Sequence, residues 1–189
     1  GTYSLLAHSA EEEAARDFIC FGDADAVVVV CDAVCLERNL NLVLQILEIT
    51  RKVIVCVNLL DEAEKKGIYV NLDILSRELG VPVIGMVARE GKGRDQLLET
   101  MDSMMREAEN VRQELQASSV GCIAADGYVI PYCQTLEKAI SLLEPAVDAV
   151  LEGIQMPSTV ACSGCLNSRW LSLRLLDYDK ALDEGIRRY

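Results

Sequence analysis

The sequence predicts an α/β fold followed by a small all-α domain. Three short apolar runs rich in β-branched residues, at 26–31, 53–57 and 81–87, alternate with helical patterns in the first part of the chain. Such alternation indicates crossover connections and a parallel sheet of three strands. The later sequence offers helical patterns without further strand patterns. We therefore predict an α/β domain at 1–100 and a helical domain at 101–189.

Composition excludes two classes of function. The chain has 189 residues, 51% of them hydrophobic, which is enough to bury a core. Its formal charge is −12, so no basic stripe is available and we expect no nucleic-acid partner. The apolar runs are too short to span a bilayer, and we expect no signal peptide. The chain opens at Gly1 without an initiator Met, and we interpret it as a fragment.

The first elements follow from a cap and two periodicities. Ser9 with Glu12 forms a capping box that predicts a helix to about Cys20. The run Ala26–Cys31 lacks polar alternation and predicts a strand buried on both faces. A helix should follow, because apolar residues recur at helical spacing at positions 40, 43, 44 and 47.

The second apolar run carries the most informative polar residues. Val53–Val57 predicts the central strand, and Asn58 and Asp61 come directly after it. Ligands of open α/β sheets bind just beyond the carboxyl ends of the strands. There an Asp can accept hydrogen bonds from ligand N–H groups, and an Asn can brace neighbouring loops. A plain Asn/Asp turn gives the same pattern and remains the alternative at this point.

The remaining elements are set by glycines and leucine spacing. We predict a short helix that ends at Gly67, a helix through Leu72, Leu75 and Leu79 that ends at Gly80, and the third strand. A turn at 88–93 leads into a helix from about residue 95. Further helices are predicted at 136–154, with Pro145 as a kink or restart, and at 167–176 and 181–188.

Eight cysteines are many for this length. The four in or beside apolar runs, Cys20, Cys31, Cys35 and Cys56, are interpreted as buried and reduced. Cys162 and Cys165 have the spacing of a metal or redox pair. A zinc site would need two more ligands, for which Cys122 and Cys133 are the nearby candidates. A reversible disulfide and plain free thiols remain the alternatives.

Several stretches, in this order and spacing, resemble the ferrous iron transport protein B family. They are Gly1–Leu5, Asp32–Leu40, Asn58–Ala63 with Gly67–Ile68, Leu79–Val83 with Ala88–Arg89, and Arg169–Leu171. The resemblance covers nearly the whole chain. It implies part of a P-loop GTPase-like parallel sheet followed by a helical domain, on the cytoplasmic side of the cell membrane. It also implies a membrane domain in the same polypeptide that moves Fe(II), and GTP or GDP with Mg²⁺ as ligands.

The resemblance assigns the base-binding residues first. Asn58 and Asp61 match the guanine-recognition motif, with Leu59 where many small GTPases carry Lys. Val87-Ala88-Arg89 matches a second loop whose backbone meets the base, although its first position is often Ser.

Near the start, the resemblance assigns residues of the phosphate side. Gly1 matches the last residue of the Asp-x-Pro-Gly motif, which senses the γ-phosphate. Thr2, Tyr3 and Ser4 match the start of a switch region.

One motif of the family is absent. No Gly-x-x-x-x-Gly-Lys-Ser/Thr occurs in this sequence, so the phosphate cradle is missing. We therefore expect a slice that keeps the guanine motif but does not hydrolyse GTP alone. In the resembled fold the strand leading to the P-loop lies beside Ala26–Cys31, and we expect self-association through that edge. The alternative function is a non-catalytic scaffold whose helical domain docks a partner.

Overall fold

The computed structural model describes residues 10–21, 24–117, 131–153 and 167–177. Their helices and strands are α1 (Ala10–Phe21), β1 (Val27–Asp32), α2 (Leu36–Ile49), β2 (Val53–Asn58), α3 (Leu60–Lys65), α4 (Leu72–Leu79), β3 (Val83–Gly85), α5 (Arg94–Ala117), α6 (Gln134–Gly153) and α7 (Ser168–Leu176). Two 3₁₀ turns, Ala33–Cys35 and Ala88–Glu90, follow β1 and β3. The capping residue Ser9 and the predicted helix at 181–188 lie outside the described residues.

The three predicted strands form one parallel sheet in the order β1-β2-β3, which confirms the predicted fold class. The central strand is buried on both faces, since Val53, Ile54, Val55, Cys56 and Val57 are all fully buried. The same prediction for the first strand is wrong, because Val30 of β1 is 64% exposed. The third strand is shorter than the run 81–87 predicts. Pro82 has no N–H to give to a ladder, and Val87 turns away to bridge Lys92.

Helix α5 covers one face of this sheet. Ile54, Cys56 and Ile84 form the buried cluster, and Met101 and Met104 from α5 pack against it. The domain boundary predicted near residue 100 falls inside this continuous helix. Because its methionines pack on the sheet, the compact unit that contains the sheet comprises Asp25–Ile46 and Lys52–Val120.

The second compact unit comprises Gly1–Ala24, Leu47–Arg51 and Gly121–Tyr189. Its described part is helical, and α6 continues through Pro145 as one helix. Helices α6 and α7 are joined by a two-pronged ion pair, in which Arg169 donates to both carboxylate oxygens of Glu137 at 2.7 and 3.0 Å. Ile140 and Trp170 are buried in the same unit.

The cysteines follow the prediction with one correction. Cys20, Cys31 and Cys56 are buried, but Cys35 is exposed, because it lies in the 3₁₀ turn that follows β1. Cys133 is also exposed, while Cys122, Cys162 and Cys165 lie outside the described residues. Within the described ranges, no cluster of metal-ligating side chains occurs. No helix among them is long and apolar enough to cross a membrane.

Candidate functional site

The end of β2 places two polar side chains beside one another. Asn58 is the last residue of the strand, and Leu59 adopts left-handed backbone angles, φ 62° and ψ 33°. The Leu59 carbonyl accepts hydrogen bonds from the N–H groups of Glu62 and Ala63, both at 3.0 Å, which starts α3. Asp61 therefore lies in the first turn of α3. A left-handed leucine is uncommon, and such residues concentrate at functional loops.

A second loop lies against this strand end. After β3, Met86 donates its N–H to the carbonyl of Val57 at 2.8 Å and accepts from the N–H of Leu60 at 3.4 Å. In the 3₁₀ turn that follows, the Ala88 N–H donates to Oδ1 of Asn58 at 3.0 Å. Asn58 thus joins the two loops, as a bracing Asn was expected to do.

Gly93 allows the second loop to close against β3. Its φ is +83°, and a Cβ added there would lie 2.3 Å from the carbonyl oxygen of Gly85. Real Cβ atoms do not approach backbone oxygen this closely, so only glycine fits. Gly91 also has a positive φ, +72°, but a Cβ added there would meet nothing within 4 Å.

Asp61 is the electrostatic centre of the site. Arg89 donates from Nη2 to Oδ2 of Asp61, across the gap between the two loops. The same guanidinium nitrogen lies 3.0 Å from Oε1 of Glu62, and Nζ of Lys65 lies 3.8 Å from Oδ2 of Asp61. The other carboxylate oxygen, Oδ1 of Asp61, is buried and has no hydrogen-bond partner among the described residues.

The charges around Asp61 hold each other in their ionised forms. The carboxylate of Asp61, followed by that of Glu62, raises the pKa of Arg89 above its ordinary value. Lys65, followed by Arg89, lowers the pKa of Glu62. Arg89 and Glu62 therefore stay charged at neutral pH.

This arrangement is suited to a flat ligand edge that carries N–H donors. A buried carboxylate oxygen without a donor is costly, and a ligand N–H would satisfy it. The structure brings together five of the predicted site residues, namely Asn58, Asp61, Val87, Ala88 and Arg89. Val87 is 7% exposed. The other four, Gly1, Thr2, Tyr3 and Ser4, lie outside the described residues.

The sequence placed Lys65 near the base side of the site but missed its partner, Glu62. Glu62 and Lys65 contact each other at 3.2 Å and both flank Asp61. The signal for this pair is present in the sequence, because a Glu and a Lys three residues apart on a helix face each other.

A separate concavity of the α/β unit lies elsewhere. It measures about 650 Å³ and is lined by the 3₁₀ turn after β1, the start of α2, the segment 68–71 and α4. Its wall is mostly apolar, and Tyr69 beside it is 83% exposed. No buried polar atom without a partner points to a ligand there among the described residues. The Asn58–Asp61 strand end therefore remains the better candidate.

Comparison with known proteins identifies a family. The model of the family "Ferrous iron transport protein B" matches residues 1–101. The Fe(2+) transporter FeoB of Salmonella typhimurium is 35% identical over 183 residues, which are 95% of this chain and 20% of that protein. The Fe(2+) transporter FeoB of Escherichia coli K12 is 45% identical over 106 residues, 54% of this chain and 14% of that protein. The chain thus spans a fifth or less of the length of these relatives.

A solved structure extends the similarity over the whole chain. The cytosolic domain of the T. maritima FeoB iron transporter, in its GMPPNP form, superposes with a TM-score of 0.74 at 28% identity. The match covers 99% of this chain and 64% of that domain.

Proposed function

This chain belongs to the ferrous iron transport protein B family, and we propose that it is part of a guanine-nucleotide-binding region that regulates Fe(II) uptake. The observation that carries the proposal is the juxtaposition at the end of β2. There the Asp61 carboxylate has an unpartnered buried oxygen, and the Asn58 side chain is held 3.0 Å from the Ala88 N–H. The GMPPNP form of the T. maritima domain supports the same ligand class.

In the proposed complex, each residue has a role set by its chemistry. The Asp61 carboxylate accepts hydrogen bonds from the N–H groups of the guanine edge, which adenine does not offer in the same arrangement. Asn58 holds the two loops at a fixed separation, because its Oδ1 accepts a hydrogen bond from the Ala88 backbone N–H. Val87, which has no hydroxyl, contributes by burial alone. A bound GTP, with Mg²⁺ at its phosphates, would supply the reactive phosphoryl group.

The phosphate side of the site is proposed to lie outside this chain, apart from Gly1 and the switch residues Thr2, Tyr3 and Ser4. Phosphoryl transfer depends on backbone N–H groups, a Lys and a Mg²⁺ that neutralise the phosphates. The sequence has no Gly-x-x-x-x-Gly-Lys-Ser/Thr. Hydrolysis is therefore a property that we propose for the intact protein, at the cytoplasmic face of the membrane, and not for this chain alone. A P-loop encoded just upstream of Gly1 in the gene would support this division.

The rest of the same polypeptide is the proposed partner in iron movement. The relatives named Fe(2+) transporter are at least five times as long as the matched stretch. A second role, docking of a partner by the helical unit, is favoured by α6. Its Leu142 and Val150 are 79% and 62% exposed, and a spacing of eight residues places them about 80° apart around the helix, within one apolar stripe.

Equilibrium binding of GDP and ADP to the intact protein tests the proposal. We expect GDP to bind more tightly than ADP, and Asp61→Ala to weaken GDP binding by roughly tenfold or more, as for a lost bond to a charged acceptor. Glu64→Ala is the matched control, because Glu64 is an exposed carboxylate of the same helix. Equal affinity for GDP and ADP would refute guanine recognition and leave the scaffold role.

A further inference from the structure

We propose that Arg89 is a positioning residue that sets guanine selectivity by fixing the plane of the Asp61 carboxylate. The proposal rests on the proposed nucleotide function of this site and names a residue that acts through Asp61. Its basis is geometric, because the two oxygens of one carboxylate have different surroundings. Oδ2 accepts a hydrogen bond from Arg89, and Oδ1 has no donor among the described residues.

The contact fixes the carboxylate from the opposite loop. Asp61 lies in the first turn of α3, whereas Arg89 lies in the 3₁₀ turn after β3, 28 residues later. Arg89 is also 3.0 Å from Glu62, so the guanidinium contacts two consecutive residues of α3. Both contacts are made by Nη2, whose two N–H groups are fixed in the plane of the guanidinium, so one can donate to Asp61 while the other donates to Glu62.

Orientation matters because guanine presents two N–H groups side by side, on N1 and on the exocyclic N2. Both can reach one carboxylate only if its two oxygens lie in the plane of the base. A carboxylate has about four acceptor positions, so Oδ2 can serve Arg89 and a base donor at once. Hypoxanthine lacks the exocyclic amine and offers only the N1 donor. A carboxylate that rotates freely should therefore lose more affinity for guanine than for hypoxanthine.

Lys65 does not replace Arg89 in this role. Its Nζ is 3.8 Å from Oδ2 of Asp61, beyond normal hydrogen-bond length, and is 3.2 Å from Glu62. It also belongs to α3 itself, so it does not tie that helix to the second loop. Lys92 lies near the same loop but pairs with Glu90 at 2.7 Å, which makes it a matched control.

The test is the affinity of the intact protein for GDP and for inosine diphosphate, in four forms: unmodified, Arg89→Ala, Arg89→Lys and Lys92→Ala. We expect Arg89→Ala to weaken GDP binding about fivefold, which corresponds to the largest free energy usual for an exposed ion pair. The affinity for inosine diphosphate should fall less, so that the preference for GDP over inosine diphosphate becomes smaller. The preference of Arg89→Lys should lie between those of Arg89→Ala and the unmodified protein, and the preference of Lys92→Ala should equal that of the unmodified protein.

The other outcomes overturn the proposal. If Arg89→Ala keeps the GDP to inosine diphosphate ratio, whether both affinities fall together or neither changes, Arg89 does not orient Asp61. If Arg89→Ala does not fold, the Arg89→Lys ratio decides in the same way. Absence of any preference for GDP over ADP in the unmodified protein would refute the proposed function as well, which distinguishes the two failures.

Discussion

Replacing Gly93 with alanine tests whether the second loop closes against β3 as the structure describes. Both Gly91 and Gly93 have positive φ, so alanine at either costs about 1 kcal/mol of backbone strain. Only at Gly93 would the new Cβ lie 2.3 Å from the Gly85 carbonyl oxygen, and relieving that overlap adds about 2 kcal/mol. We therefore expect Gly93→Ala to lower the free energy of unfolding by about 3 kcal/mol, and Gly91→Ala to lower it by about 1 kcal/mol.

Hydrogen exchange measures this difference locally, which matters because the chain has two compact units. Its single tryptophan, Trp170, lies in the helical unit and would not report on the sheet. Backbone amides of β2 and β3 should exchange about a hundredfold faster in Gly93→Ala, but only about fivefold faster in Gly91→Ala. Equal exchange rates in the two variants would refute the tight approach of Gly93 to β3.

Three further predictions concern association, pH and nucleotide binding by the chain itself. Among the described residues β1 pairs only with β2, and its Val30 is 64% exposed. We therefore expect light scattering to show that the chain self-associates, and Val30→Lys to reduce the self-association. A stable monomer at high concentration would contradict this prediction. Arg169 holds the pKa of Glu137 at about 2. The stabilisation that the Glu137–Arg169 ion pair gives to the folded state is therefore present above about pH 4.5 and is lost as the pH falls toward 2. Trp170 fluorescence should show an acid transition of the helical unit, and this transition should be absent in Glu137→Gln. An unchanged acid transition in Glu137→Gln would contradict the prediction. Calorimetry of the isolated chain with GDP and a GTP analogue in Mg²⁺ should show no micromolar binding, since its sequence has no Gly-x-x-x-x-Gly-Lys-Ser/Thr motif. Micromolar binding or phosphate release would refute this.

The sheet was predictable because its signal is local. A fully buried strand needs an unbroken apolar run, and Val53–Val57 supplies one. The end of β3 was not predictable from apolar residues alone, because Val87 is apolar and buried yet bridges Lys92 outside the sheet. The prediction that Cys35 is buried was wrong for a similar reason. An apolar neighbourhood in the sequence does not reveal that a 3₁₀ turn exposes the side chain.

The site was predictable only in part. Asn58 and Asp61 follow the central strand directly, so their position at its carboxyl end could be read from the chain. The pairing of Asp61 with Arg89 spans 28 residues and depends on how two loops meet, which no local pattern specifies. The left-handed backbone of Leu59 has no sequence signal either, because leucine rarely adopts it.

The most direct test of guanine recognition is the affinity of the intact protein for GDP and xanthosine diphosphate, with and without Asp61→Asn. Xanthine carries a carbonyl in place of the exocyclic amine of guanine, and an amide at position 61 can donate to it, whereas a carboxylate cannot. We expect the unmodified protein to prefer GDP. In Asp61→Asn, GDP binding should weaken by roughly tenfold or more and the preference should shift toward xanthosine diphosphate. Unchanged affinities for both nucleotides would contradict the assignment of Asp61 as the residue that recognises the base.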